Sequence, residues 1–533
     1  MKRPFIVLYA MIFLFVSLPV RMAYLVFNTN EFPAVTNSTR SIVVSELRGE
    51  IYDCSMKPLV NRKLQKTVVA MPYKKSAKVL KDYLEEEEYK SLLCSIDNEE
   101  PFMCVCDYEK ENDFIKVCER AERYTDDGFC CHVIGYINQS DNEGVYGIEK
   151  SYDTLLKSEK RQLLFKYNTT ALNKMLAGGE CGFVSENYYS QKGVRLTIDA
   201  DIQRIAENAM RLYETEKGAC VVLDSKNGEI RAMASFPRFN QNNVALSLND
   251  ENSPFMNRAV SAYSVGSVFK YVVAMAAIEA NEENFESYCT GSLKIGRTTF
   301  ACSNSVAHGS VNLSKAFAYS CNTYFIRLAL KIGRDRILKA AENLGFGKSF
   351  YLSDGIYPDK GKLPSTEEIT TDGALANISF GQGNLLATPL QIASCYSAAV
   401  NGGEYISPKL VISTVNSDGT ENAIKEKGYR YRAFSEREAE KMKDLLINNF
   451  NEGTCVDAKP HNCVAGGKTS TAQTGWIDEK GEEILHSWFA GFAETGNEVY
   501  TIVVFKENGV SGSQDCGPVF KEISQRLAEI KCE

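Results

Sequence analysis

Tyr263-Ser264-Val265-Gly266-Ser267-Val268-Phe269-Lys270 decides how this chain of 533 residues is read. Ser267 and Lys270 are three apart, and Tyr271 to Ala280 continues behind them as a good helix. On a helix that spacing puts both side chains on one face, a turn apart. Ser267 is then expected in the first turn, where free backbone N–H groups and the positive helix end favour an alkoxide or an acyl oxyanion. A lysine held in a pocket loses its proton more easily and can act as a base. Taken alone the spacing is cheap, and an exposed helix start is the simpler reading.

Two later stretches change that weighting. Ser320-Cys321-Asn322 follows the helical run Leu313 to Tyr319, and Gly466-Gly467-Lys468-Thr469-Ser470-Thr471-Ala472-Gln473 reads as a strand. A strand with a lysine and alternating hydroxyls can bind a carboxylate and an extended peptide along its edge; a polar edge strand with a protective lysine is the plainer alternative. Around these motifs, Asp199 or Asp201 can cap a helix running to about Tyr213. Ala219 to Asp224 and Glu229 to Ser235 read as strands joined by the turn Lys226-Asn227-Gly228. Val268 to Leu344 is mostly helical in period. Val464 to Gly475, Ile484 to Ala493 and Val499 to Lys506 read as antiparallel strands, closed by a helix from Pro518 to Ile530. Strands early and late with helices between them predict one antiparallel sheet built from both ends of the domain.

Ser-x-x-Lys, Ser-x-Asn and Lys-Thr-Gly in that order are the signature of penicillin-binding proteins and serine β-lactamases. The chain resembles the class B, monofunctional penicillin-binding proteins over nearly its whole length. Arg48-Gly49-Glu50-Ile51-Tyr52-Asp53 resembles the start of that family's N-terminal pedestal, and His132-Val-Ile-Gly135-Tyr136 with Gly144-Val-Tyr-Gly147-Ile148-Glu149 its second block. Leu196-Thr-Ile-Asp199 with Gln203, Asn257-Arg258-Ala259, Ser379-Phe-Gly-Gln-Gly383, Thr388-Pro-Leu-Gln391 and Trp488-Phe-Ala-Gly-Phe492 extend the match. Two positions depart from it. Val265 stands where the family has proline, which mainly fixes a turn, so little effect is expected there. Ser470 stands where the third motif has glycine, and its added hydroxymethyl is expected to narrow the cleft.

The resemblance implies an α/β (α+β) fold: a central antiparallel sheet with helices on both faces and a helical subdomain. It places an anchor at 1–27, a pedestal at 28–190 and a transpeptidase domain at 191–533. It implies D,D-transpeptidation of D-Ala-D-Ala stem peptides through a serine acyl-enzyme, inhibited by β-lactams, with carboxypeptidase action as a side activity. Ser267 is the expected nucleophile, Lys270 its base, Ser320 a relay to the leaving group, Asn322 the holder of the substrate amide and of Lys270, and Lys468 a source of positive potential. Thr469, Ser470 and Thr471 form the expected carboxylate-binding strand, with the N–H groups of Ser267 and Thr471 as oxyanion hole. No cofactor is required for this chemistry. The alternatives are a serine β-lactamase, against which the pedestal blocks argue, and a catalytically weak scaffold or sensor. His486 is expected to be a strand-end residue and not a catalyst.

Cys289, Cys302, His308 and Cys321 lie between the first and second motifs. Three thiols and an imidazole can hold a structural zinc; a Cys302–Cys321 disulfide, or no special role, are the rival readings. There are seventeen cysteines, which should pair in an oxidising exterior unless the host is anaerobic. Cys455 and Cys463 are a weaker candidate pair.

The N-terminus carries Lys2 and Arg3, an apolar run Phe5 to Val20, then Arg21 and Met22 to Phe27. This predicts a single-pass anchor with its short end in the cytoplasm and the catalytic domain outside the cell. Arg21-Met22-Ala23-Tyr24 is a poor cleavage site for the rival reading, a signal peptide. The net charge of −8 gives no hint of nucleic-acid binding. No glycosyltransferase segment is legible, so the resemblance implies a polytopic membrane glycan polymerase among the cell-wall synthesis partners.

Overall fold

The computed structural model describes residues 3–28, 38–170, 172–176, 178–425, 427–478 and 480–530. They form two compact units. The first comprises residues up to Leu47, Leu64–Ala121 and Lys160–Tyr189, and the second Arg48–Lys63, Glu122–Glu159 and everything from Ser190 onward. The division is therefore not the single cut at 190 that the sequence suggests. The two early blocks, Arg48-Gly49 and Gly147-Ile148-Glu149, both fold with the second unit.

The first unit holds the sheet Ser38–Leu47, Arg161–Thr169 and Cys181–Glu186, and a second three-stranded sheet with Lys63–Ala70 at its centre. Glu86, Glu87 and Glu88 form the first turn of the helix Glu86–Asp97, with Glu85 as N-cap in a capping box with Glu88. Residues Arg3–Asn28 form one helix of 26 residues where the anchor is expected. Among the described residues no helix is long and apolar enough to cross a membrane. Lys2, part of the orientation argument, lies outside the described residues, as does Cys532.

The second unit is built on a five-stranded sheet of β1 (Gly218–Asp224), β2 (Ile230–Phe236), β3 (Val464–Ile477), β4 (Glu483–Thr495) and β5 (Glu498–Lys506). Its order is β2-β1-β5-β4-β3, antiparallel throughout, so both ends of the domain close one sheet as expected. α1 (Ala200–Leu212) is capped by Asp199, whose side chain accepts from the amides of Asp201 and Ile202. It packs with the closing helix Gly517–Ile530 on one face, around Ile202, Met210, Phe489, Phe520 and Ile523. The other face carries α2 (Lys270–Glu279), whose side chains from Lys270 to Ile278 are all buried. A helix apolar on all sides must be enclosed on all sides, and α2 is the centre of the larger core.

The stretch Val268–Leu344 is less helical than its period suggests. α3 (Leu313–Ala318), α4 (Asn322–Ile332) and α5 (Arg334–Asn343) form, but Ser287–Cys289 pairs with Gly309–Val311 and Ser292–Ile295 with Thr298–Ala301. Gly291, Gly296 and Gly309 all have positive φ, which turns this segment into hairpins instead of continuing the helix.

Within the second unit, Glu149 is fully buried between two arginines. Arg48 Nε lies 3.1 Å from one carboxylate oxygen, Arg123 Nε 2.7 Å from the other, and the Tyr124 hydroxyl donates to it at 3.0 Å. The two early sequence blocks meet at this carboxylate.

Candidate active site

The nucleophile turn does not begin as an α-helix. Gly266–Phe269 is a 3-10 turn that leads into α2 at Lys270. In a 3-10 turn residues i and i+3 eclipse, so Ser267 and Lys270 are stacked more closely than α geometry would place them. Lys270 Nζ lies 3.1 Å from Ser267 Oγ.

The lysine is fully enclosed. Its Nζ is 2.6 Å from Asn322 Oδ1, 2.7 Å from the Ser320 carbonyl and 2.9 Å from Ser320 Oγ. Burial, followed by the charge of Lys468, holds its pKa well below the ordinary lysine range. Asn322 Oδ1 and the Ser320 carbonyl can only accept, so they engage two N–H bonds of a neutral amine and leave its lone pair toward the hydroxyls. Ser320 Oγ donates to Ser267 Oγ at 3.1 Å. The Ser320 backbone has φ +55, a left-handed conformation that costs a non-glycine residue free energy; it sits between the end of α3 and the start of α4, where both its carbonyl and its hydroxyl reach Lys270.

β3 forms the facing wall. Lys468 is buried, donates to the Thr469 carbonyl at 3.1 Å, and is pushed down to about 8 by burial. Thr469 donates to Thr454 Oγ1 at 2.7 Å, and Thr471 Oγ1 accepts from the Gly512 amide at 3.4 Å. Ser470 is buried, and its hydroxyl turns away from the cleft to the Val265 carbonyl. The cleft between these walls has a volume of about 520 Å³ and exposes Ser267, Ser320, Asn322, Thr469 and Thr471 together. Its lining also includes Tyr319, Gln382 and Thr454, which the motifs do not name. Gln382 has a signal in the sequence, the flanking Gly381 and Gly383; Thr454 has none. His486 stands within β4 against Tyr263 and Phe505, away from these groups.

Behind Asn322 lies the cysteine cluster. Cys289 Sγ is 3.7 Å from Cys302 Sγ and 3.4 Å from His308 Nδ1, and Cys302 Sγ is 3.9 Å from Cys321 Sγ. All four donor atoms lie within 4.8 Å of one another. A tetrahedron of thiolates on zinc has edges of about 3.8 Å at the usual Zn–S length, so the donor set fits that ion. All sixteen described cysteines are free thiols. The Cys455–Cys463 pairing does not form: Cys455 Sγ faces the Gly467 carbonyl at 3.5 Å and Cys463 Sγ that of Ser524 at 3.7 Å.

The description penicillin binding protein transpeptidase domain matches residues 218–525. The chain belongs to the penicillin-binding protein transpeptidase family. Within that family it is 28% identical to stage V sporulation protein D of Bacillus subtilis, over 73% of this chain and 60% of that protein. It is 26% identical to the peptidoglycan D,D-transpeptidase MrdA of Acinetobacter baumannii, over 74% of this chain and 65% of that one. The chain thus spans less than two thirds of the length of both. Among solved structures, the D,D-transpeptidase domain of a peptidoglycan glycosyltransferase from Eggerthella lenta matches with a TM-score of 0.65 at 24% identity, over 92% of this chain and 99% of that one. A chain of a peptidoglycan synthase complex matches with a TM-score of 0.70 at 22% identity, over 99% and 98%. These two likenesses establish the penicillin-binding protein transpeptidase fold.

Proposed function

We propose that this penicillin-binding protein is a serine D,D-transpeptidase that cross-links peptidoglycan stem peptides and is acylated by β-lactams. The observation that carries the reading is the placement of the buried Lys270 amine among Ser267 Oγ, Ser320 and Asn322 Oδ1. Ser267 attacks the carbonyl between two D-alanines, and its proton passes to the neutral Lys270 amine. Ser320, in contact with both, delivers a proton to the leaving D-alanine. The N–H groups of Ser267 and Thr471 receive the oxyanion. Lys468, Thr469 and Thr471 hold the terminal carboxylate, while Ser470 shapes the strand from behind. An amine of a neighbouring stem then takes the acyl group; water in its place gives carboxypeptidase action.

Cys289, Cys302, His308 and Cys321 hold a structural zinc in this reading. The ion would brace the loop that carries Asn322, because Cys321 precedes that residue and the Asn322 amide donates to the carbonyl of Ala301, beside Cys302, at 2.8 Å. No step of the chemistry passes through it. On its apolar sequence, Phe5 to Val20 and Met22 to Phe27, the N-terminal segment is the single-pass anchor in this reading. The first unit acts as the pedestal. One structural neighbour is a complex of a penicillin-binding protein with MreC and another is a peptidoglycan synthase complex; by analogy the partners here are cell-wall synthesis proteins, including a membrane glycan polymerase.

Labelling with a fluorescent penicillin tests the reading. Stable labelling lost in Ser267→Ala is the expected result. Rapid release of the label would indicate a β-lactamase, and absence of labelling a scaffold.

A further inference from the structure

The two positions at which this chain departs from its family touch each other. Ser470 Oγ donates to the carbonyl of Val265 at 2.9 Å, and Ser470 is 3% exposed. Between Val265 and the nucleophile stands Gly266 at φ +56, where an added Cβ would lie 2.5 Å from Ser470 Oγ. The serine side chain therefore fills the space above the glycine as well as holding the carbonyl before it.

The surrounding contacts say what this hold is for. Trp488 Nε1 donates to the Ser264 carbonyl at 3.0 Å, the Gly266 amide donates to the Gly381 carbonyl at 2.9 Å, and the Tyr396 hydroxyl donates to the Val268 carbonyl at 2.8 Å. The peptide groups on either side of Ser267 are thus fixed one after another by groups from different elements. A proline at 265 would fix φ there by its ring. Val265, at φ −95 and ψ −32, has no such restraint.

We propose that Ser470 is a positioning residue for Ser267: its hydroxyl clamps the Val265 carbonyl and restores the rigidity that the nucleophile turn lacks without proline. Ser470 borders the cleft, but its hydroxyl is engaged on the Val265 carbonyl and acts through the turn. A wandering Ser267 Oγ would leave the 3.1 Å contact to Lys270, and the acylation step is sensitive to such misplacement. This inference rests on the transpeptidase reading for its kinetic consequence, though not for the clamp.

A double-mutant cycle tests it on the full-length protein. Ser470→Ala and Ser470→Gly are expected to slow the saturating rate constant of acylation by a fluorescent penicillin about tenfold, with the affinity of the preceding non-covalent complex unchanged. Val265→Pro combined with Ser470→Gly is expected to recover most of that rate. Acylation by both Ser470 variants at the wild-type rate, or effects that merely multiply in the double variant, would overturn the proposal. Hydrogen exchange at the amides of residues 266–269 reads the clamp apart from chemistry: it rises in Ser470→Ala if the clamp exists, and unchanged exchange rejects it. A wild-type protein that penicillin never labels would sink the transpeptidase reading instead, leaving the exchange result to decide the clamp.

Discussion

The amine of Lys270 stands 3.1 Å from the hydroxyl of Ser267, across the junction of a 3-10 turn and an α-helix. Because the lysine is enclosed and its amine contacts Ser267, Ser320 and Asn322, none of them a carboxylate, replacing it removes the base without stranding an opposite charge. Lys270→Met is expected to lower acylation by fluorescent penicillin roughly a thousandfold. Ser267→Ala should abolish it. Time courses of labelling distinguish the two, since a slow residual rate in Lys270→Met separates a missing base from a missing nucleophile.

Lys468 is expected to give acylation its alkaline limit. In this reading acylation needs neutral Lys270, whose pKa burial holds well below the ordinary lysine range, and charged Lys468, whose pKa burial pushes down to about 8. As pH rises through that value the positive potential is lost, so the rate should fall on the alkaline side. Lys468→Arg keeps its charge, and the descending limb should move to higher pH even if the overall rate drops. A pH–rate profile of acylation by penicillin in both proteins checks this.

The cysteine cluster predicts one zinc per chain. Cys289→Ser or Cys321→Ser should reduce that stoichiometry, and chelation should lower the thermal midpoint and free the thiols for titration. Elemental analysis combined with thiol counting reads both. A metal-free protein with all four donors intact would exclude the zinc reading, and two missing thiols would favour the Cys302–Cys321 disulfide.

Glu149 holds Arg48 and Arg123 in the interior of the second unit. Glu149→Gln leaves buried Arg123 facing a neutral amide, while Arg48 keeps Asp153 at 2.8 Å, so the loss is expected at the lower end of a broken buried pair, on the order of 3 kcal/mol. Both tryptophans of the chain, Trp476 and Trp488, belong to that unit, so urea unfolding followed by tryptophan fluorescence reports it selectively. A midpoint within error of the wild type would mean that the carboxylate is not what secures the two early blocks.

Much of the site was legible because its residues come as short motifs whose order carries information. Ser267, Ser320, Asn322, Thr469 and Thr471 line one cleft, with Lys270 enclosed behind Ser267. The three late strands and the closing helix were read to within a few residues, since alternation and length agree there. The hairpins between Ser287 and Val311 were missed because each is three or four residues long, too short for a period to be distinguished from the helices around it. The division into units escaped the sequence for another reason: a buried ion pair such as Arg48–Glu149 joins residues a hundred positions apart and leaves no local pattern. The direction of the Ser470 hydroxyl was equally invisible, because it depends on a carbonyl that every residue possesses.

The motif strand β3 lies at the end of the five-strand order, paired with β4 on one side only. An outer strand of this kind is a template for any extended backbone, including that of a second copy of the protein. Proteins commonly blunt such edges with outward lysines, but the lysine of this strand is buried in the catalytic cleft. Only the half of the strand beyond Ser470 is open, because Ala465 to Ser470 are buried; the segment that carries the motif is thus shielded from stray backbone pairing while the exposed end, Gly475 to Ile477, is not.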